Sequence, residues 1–325
     1  MTKRAGMTGG RTARATFAAI FMLCALSATT AGSATPKDPP AVRTPYVTQA
    51  PIVMLKDIGS GQILFSRGAD KRFAPASMAK VMTAYVVLDL IKKGQLSRET
   101  LFTVDEATWK RWSTRPAGSS MFLRAGEKIS VDDLLKGLIT VSGNDAASVL
   151  AVGIDGSENS FVNRMNAVAS KIGMASSNFG TPSGWPDGGV TKVSAGDLIV
   201  LADRLIRDHP DGYARYFSIP TLRHGLSPDG KPIVQSNRNP ILGRFAGADG
   251  LKTGHTSEAG YCFLGSAKRD GRRLVMVVAG LPSDKARREE AERLMSWGFE
   301  QRAPMAAAQT NRGNPSKGRK SAATP

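Results

Sequence analysis

Apolar residues recur along the chain in two periods, and the switches between them mark the elements. Ile52-Val53-Met54-Leu55 and Gln62-Ile63-Leu64-Phe65 flank Gly59-Ser60-Gly61, which predicts a β-hairpin. From Met78 the spacing changes to three and four, through Val81, Met82, Tyr85, Val86, Leu88, Leu90 and Ile91. That is a helix with one buried stripe. Pro75 halts the run before it, so the helix should start near Ser77 and end near Lys93-Gly94. Over 95–128 the pattern is mixed: Thr103–Glu106 is extended or opens a helix, and Trp109, Trp112 and Arg115 read as a polar-aromatic loop. Ser130-Val131-Asp132-Asp133 starts a helix, serine first and acids in its first turn. That helix runs through Leu134, Leu135, Leu138, Ile139 and Val141 and stops at Ser142-Gly143-Asn144. A second helix opens at Asp145, and a third covers about 159–172. Residues 178–193 are a Gly/Pro-rich loop, Ser194 caps a further helix, and 210–248 is loop-rich. Then 250–256, 260–267 and the apolar run Leu274–Gly280 read as three antiparallel strands. Ser283 opens a last amphipathic helix.

Strands at both ends and helices between them predict one α+β domain over 47–300. Its antiparallel sheet is built from the N- and C-terminal strands, with the helical middle packed on it. Composition sets the flanks apart. Residues 1–34 carry Lys3, Arg4, Arg11 and Arg14, an apolar run from Ala15 to about Ala28, and the small residues Ala31-Gly32-Ser33-Ala34. This is the layout of a signal peptide, with cleavage expected after Ala34 or Ala31. Residues 35–46 are a Pro/Thr-rich linker, and 301–325 are a basic tail expected to be disordered. The formal net charge is +17, and the leader and the stretch after Ala303 hold eight of the cations without an acid. A basic exported protein suits an anionic polymer or membrane surface. No nucleic-acid-binding motif accompanies the charge. With Cys24 in the leader, Cys262 is left alone and no intramolecular disulfide is expected. His209 and His224 lack metal-ligand spacing, and neither a metal nor a cofactor is expected.

The candidate chemistry starts at Ser77, the only serine with a lysine, Lys80, three residues on. On a helix the two side chains share a face. A serine beside an amine is either an activated nucleophile or a helix cap followed by a lysine. Two further polar sets stand at ends of apolar elements: Ser142/Asn144, and Lys252-Thr253-Gly254 on a strand. Ser-x-Asn also occurs at Ser157-Glu158-Asn159 and Ser176-Ser177-Asn178. Ser142 is preferred because it sits in the turn between two apolar helices and between the other sets in chain order.

Ser-x-x-Lys, Ser-x-Asn and Lys-Thr-Gly in this order belong to penicillin-recognising acyl enzymes. The chain resembles the serine D-alanyl-D-alanine carboxypeptidases, the low-molecular-mass penicillin-binding proteins, from about Pro51 to Phe299. The likeness extends to Pro75–Lys80, Ser142–Ala147 and Asp249–Thr256 with Ala259-Gly260-Tyr261. It implies a penicillin-binding protein/β-lactamase-like transpeptidase fold, peptidoglycan stem peptides as substrate, β-lactams as covalent inhibitors, and export across the inner membrane to the periplasm or cell envelope. It implies Ser77 as acyl-ester nucleophile, Lys80 as proton acceptor and Ser142 as proton relay. Asn144 would fix Lys80 and the substrate backbone. Lys252 and Thr253 would hold the terminal carboxylate, and Gly254 would let substrate lie close to the strand. The backbone N–H groups of Ser77 and His255 would form the oxyanion hole; the His255 imidazole is given no role. Lys80 can accept a proton only if its pKa is strongly lowered, by burial and by a nearby cation, for which Lys252 is the candidate.

Three alternatives stand beside carboxypeptidase action. The boxes do not separate it from a DD-endopeptidase that cuts cross-links. A class A β-lactamase would need a glutamate for its deacylating water, and 178–193 contains none. A non-catalytic wall-binding module would show altered boxes. Larger members of the family carry a second β-rich domain and a C-terminal amphipathic helix. The short basic stretch after Phe299 matches neither, so it is expected only to touch anionic lipid or wall polymer weakly.

Overall fold

The computed structural model describes residues 45–114, 118–227 and 229–301. The leader, most of the linker, Arg115 and all but the first residue of the tail lie outside them. The expected hairpin forms: β1 (Ile52–Asp57) pairs antiparallel with β2 (Ile63–Arg67). A 3₁₀ turn, Ala76–Ala79, then runs into α1 (Lys80–Lys92). Ser77 therefore sits in the 3₁₀ turn and not at an α-helix cap. α1 also differs from a helix with one stripe: from Lys80 to Leu88 every residue is buried. It is the central helix, enclosed by helices and by the sheet, and a helix hydrophobic all round is what such a position demands.

β3 (Leu101–Thr103) and β4 (Lys128–Ser130) form a small ribbon, and between them lies α2 (Glu106–Ser113). The tryptophan segment is thus helical, capped by Asp105, which accepts from Thr108 N. α3 (Val131–Thr140), α4 (Asn144–Asp155), α5 (Glu158–Ile172) and α6 (Ala195–Asp208) follow as expected. Ser130 and Ser194 cap α3 and α6 through their hydroxyls. The loop-rich reading of 210–248 needs correction, for that stretch holds α7 (Pro210–Tyr216) and a hairpin of β5 (Thr221–Leu226) with β6 (Pro232–Ser236). α7 is too short for a periodic signal, and it is held by burial of Tyr213, Tyr216 and Phe217.

The chain closes with β7 (Ala248–Thr256), β8 (Gly260–Arg269), β9 (Arg272–Leu281) and α8 (Asp284–Glu300). The main sheet is antiparallel in the order β2-β1-β9-β8-β7, so the terminal strands share it and β7 is an edge. Alternation along β9 explains its unbroken apolar run. Val275 and Val277 join the helical core, while Met276 and Val278 face a second core with Leu294 and Met295 of α8. Side chains alternate across a strand, so a strand buried on both faces is apolar throughout. No helix among the described residues is long and apolar enough to cross a membrane.

Candidate active site

Three elements meet around Lys80 Nζ, the 3₁₀ turn, the α3–α4 turn and the loop 178–193, and β7 lies against the first of them. Pro75 and Ala76 shape the first. Ala76 is buried with φ 47°, a left-handed conformation costly for a residue with a Cβ. This turn leaves Ser77 half-buried at a cleft and sends Lys80 into the interior, where it is fully buried. Lys80 Nζ lies 3.0 Å from Ser77 Oγ, 2.7 Å from Asn144 Oδ1 and 2.7 Å from the Ser183 carbonyl oxygen.

The second element is built for close approach. Asn144 begins α4 and its N–H donates to Ser119 O at 2.8 Å. Ser142 has φ 65° and a buried hydroxyl with no hydrogen-bond partner among the described residues. A Cβ at Gly143 would come within 2.9 Å of Asp145 Oδ1, so the middle of this box is glycine for space. The Asp145 carboxylate accepts from Met121 N and Ser120 Oγ and ties the 118–123 stretch to the turn. The other two Ser-x-Asn matches have structural work. Ser157 caps α5, and Ser177 and Asn178 brace the loop through Asp197 and Val190 O.

β7 supplies the third set. Lys252 and Thr253 are buried, and a Cβ at Gly254 would lie 2.4 Å from Pro75 O. The strand therefore runs directly against the Ser77 turn. His255 is exposed and its ring packs on Tyr261, centroids 4.0 Å apart. A cleft of 610 Å³ opens here, with Ser77, Ser142, Thr253, Gly254, Arg238 and Arg287 on its wall.

Two participants carry no signal in sequence. Ser183 sits in the Gly/Pro-rich loop; its carbonyl is aimed by Pro182, whose own oxygen accepts from Thr83 Oγ1 at 2.5 Å, and by Gly184 at φ 69°. Arg238 follows β6 and donates to Ser119 Oγ at 2.5 Å. Burial first, then the Arg238 cation, lowers the Lys80 pKa to about 7, while the Asp145 charge opposes them. The expectation that Lys252 supplies this cation is corrected. Lys252 is itself held well below the usual lysine value by burial, with Lys80, Arg238 and Arg287 adding to it. The cation acting on Lys80 is the Arg238 guanidinium.

This arrangement can activate a hydroxyl. A neutral amine has two N–H groups and one lone pair. Asn144 Oδ1 and Ser183 O take the two N–H groups, which leaves the lone pair facing Ser77 Oγ. Among the described residues no group of three or more His, Cys, Asp or Glu side chains is placed to hold a metal. His209 is buried edge-on to Tyr85, and His224 faces Glu127 at 2.9 Å.

A serine bonded to a buried lysine, backed by a hydroxyl turn and a Lys-Thr-Gly edge strand on this sheet, places the fold among the penicillin-binding proteins. The chain belongs to the D-alanyl-D-alanine carboxypeptidase family, whose model matches residues 39–283. It is 38% identical over 258 residues to D-alanyl-D-alanine carboxypeptidase DacA of Haemophilus influenzae, covering 79% of this chain and 63% of that protein. Penicillin binding protein 5 of the same organism superposes with a TM-score of 0.73 at 38% identity, over 79% of this chain and 72% of the other. Penicillin-Binding Protein D2 of Listeria monocytogenes, solved in an ampicillin-bound form, gives 0.68 at 32% identity, over 79% of this chain and all of the other. The chain thus spans less than two thirds of the length of DacA and 65% of its Escherichia coli relative DacC.

Proposed function

We propose that this protein is a serine DD-peptidase that removes the terminal D-alanine from peptidoglycan stem pentapeptides through an acyl ester on Ser77. The observation that carries it is the Lys80 amine, fully buried, lowered to about 7 and directed at Ser77 Oγ by two fixed acceptors. Ser77 Oγ attacks the carbonyl carbon of the penultimate D-alanine as its proton passes to Lys80 Nζ. The oxyanion is held by the backbone N–H groups of Ser77 and His255. Donors of this kind are each worth about 3–4 kcal/mol. Ser142 Oγ, unpartnered among the described residues, carries the proton on to the leaving nitrogen, the C–N bond breaks, and D-alanine departs as an amine. Water, deprotonated by the same lysine, then splits the ester and returns the proton to Ser77.

Lys252 and Thr253 receive the terminal carboxylate. A carboxylate beside Lys252 favours its charged form against the burial that lowers its pKa. Arg238 stands on the same wall and shares the anion. Asn144, with its oxygen engaged by Lys80, presents its amide nitrogen to the substrate backbone. β-Lactams acylate Ser77 in the same way. Residues 47–300 form the catalytic domain, with 1–34 as an export leader to the periplasm or cell envelope. The tail contacts anionic lipid or wall polymer weakly. No cofactor or metal takes part.

The test is to incubate the mature protein with a pentapeptide monomer and with a cross-linked dimeric muropeptide. Release of D-alanine from the monomer is expected. Cleavage of the dimer with no release from the monomer would show an endopeptidase instead.

A further inference from the structure

Arg238 and Arg287 line the cleft, Arg238 exposed and Arg287 buried. Arg238 donates to Ser119 Oγ, while Arg287 is buried, paired with Asp284 and stacked over Tyr261 at 5.5 Å. Two more guanidinium groups, Arg244 and Arg288, line the same cleft. Neither has a hydrogen bond or ion pair among the described residues, and Arg244 is exposed. Elsewhere arginines find carboxylates: Arg164 with Asp155, Arg215 with Asp132, Arg272 with Asp57 and Arg273 with Asp249. Asp284 is the only acid on the cleft wall among the described residues, and Arg287 already engages it. One terminal carboxylate at Lys252 and Thr253 leaves this positive charge largely unmatched.

The placement of Arg288 adds a second argument. α8 begins at Asp284, and Lys285, Arg287 and Arg288 fall within its first five residues. Peptide dipoles put positive potential at that end, so cations there destabilise the helix. Lys285 has a distant Glu289 partner at 3.8 Å, whereas the Arg288 guanidinium has none among the described residues. A guanidinium held against the helix dipole and aimed into a cleft strengthens the field that attracts an anion.

We propose that Arg244 and Arg288 form an anion subsite in the cleft that Thr253 also lines, which takes a second carboxylate carried by the leaving residue. The inference rests on the DD-peptidase reading of the site. It adds to D-Ala-D-Ala peptides a further substrate class, D-alanyl linkages whose leaving group carries two carboxylates. The second carboxylate belongs either to the leaving residue's own side chain or to a longer peptide joined through the leaving nitrogen.

The experiment compares kcat/KM for stem-peptide analogues ending in D-Ala-D-Ala, D-Ala-D-Gln and D-Ala-D-Glu, and for a cross-linked dimer. The wild type is compared with Arg244→Gln/Arg288→Gln. Wild type should cleave the D-Glu analogue about tenfold better than its neutral D-Gln isostere, and the double variant should lose that margin while D-Ala-D-Ala turnover changes by less than about threefold. A margin seen only with the dimer, and lost in the double variant, assigns the second carboxylate to a longer peptide. Equal rates for all leaving groups, or a margin that survives in the double variant, overturn the subsite. Failure of the wild type to cleave any of the four overturns the peptidase reading and the subsite with it. Raising ionic strength should shrink the margin as the exposed charges are screened.

Discussion

Asn144 Oδ1 accepts a hydrogen bond from Lys80 Nζ at 2.7 Å and so fixes the direction of the lysine lone pair. The contact joins α4 to α1 across 64 positions of sequence. On the proposed mechanism it makes the amide a positioning group for the base as well as a substrate contact. Asn144→Asp keeps the shape and adds a charge. An adjacent carboxylate favours the ammonium form, so the Lys80 pKa should rise by about one unit or more. Acylation by a fluorescent penicillin depends on the free amine. Its pH profile should rise through about pH 7 in the wild type and reach its plateau only at higher pH in the variant. An unshifted profile contradicts the assignment of Lys80 as base.

Arg238 and Asp145 act on Lys80 with opposite signs. Arg238→Gln removes a cation that disfavours the ammonium, so the acylation limb should move to higher pH. Asp145→Asn removes an anion that favours it, so the limb should move to lower pH. Arg238→Gln should also raise KM for carboxylate-terminated peptides, which Asp145→Asn should not do. Shifts of the same sign in both variants would contradict the electrostatic account. Asp145→Ala differs again: it strands the buried Met121 N and the part-buried Ser120 Oγ. Each buried unsatisfied group costs about 1–3 kcal/mol, so this variant should unfold at markedly lower urea.

Gly184 lets the loop 178–193 lie on the catalytic turn. Its φ is 69°, and an added Cβ would sit 2.0 Å from Ala76 O. Gly184→Ala should destabilise the domain by about 1–3 kcal/mol through this clash and slow acylation by displacing the Ser183 carbonyl. Urea midpoint and acylation rate should fall together. A normal midpoint with normal acylation would show that the loop does not constrain Lys80.

Cys262 pairs across the sheet with Gly254, and its sulfur faces the core. Burial raises its pKa to about 11. The thiolate is the reactive form, so iodoacetamide at pH 8 should label the unfolded chain and spare the native one. Rapid native labelling would place the thiol at the surface.

Much of the fold is legible in sequence because its strongest signals are long. The apolar runs of β1 and β9, and the serine caps at Ser130, Ser194 and Ser283, mark elements that the structure contains. The short elements α7 and the β5–β6 hairpin are not legible. Seven residues give no period, and the hairpin is held by long-range bonds such as Gln235 to Ser120 O and Arg124 to Leu226 O. The site divides the same way. Ser77, Lys80, Ser142, Asn144 and Lys252–Gly254 stand in short motifs, and the fold gathers all of them at one cleft and its floor. Ser183 contributes a backbone carbonyl, which any residue could supply. Arg238 acts through its position after β6, which only the tertiary structure reveals.

The central claim is that Ser77 is the nucleophile and Lys80 its base. The most direct measurement is mass mapping of the covalent adduct formed with a penicillin at neutral pH. The adduct is predicted on Ser77 in the wild type and absent from Ser77→Ala, with Lys80→Met forming it at a rate lower by at least about a hundredfold. An adduct that maps to another residue, or that persists undiminished in Ser77→Ala, would contradict the account.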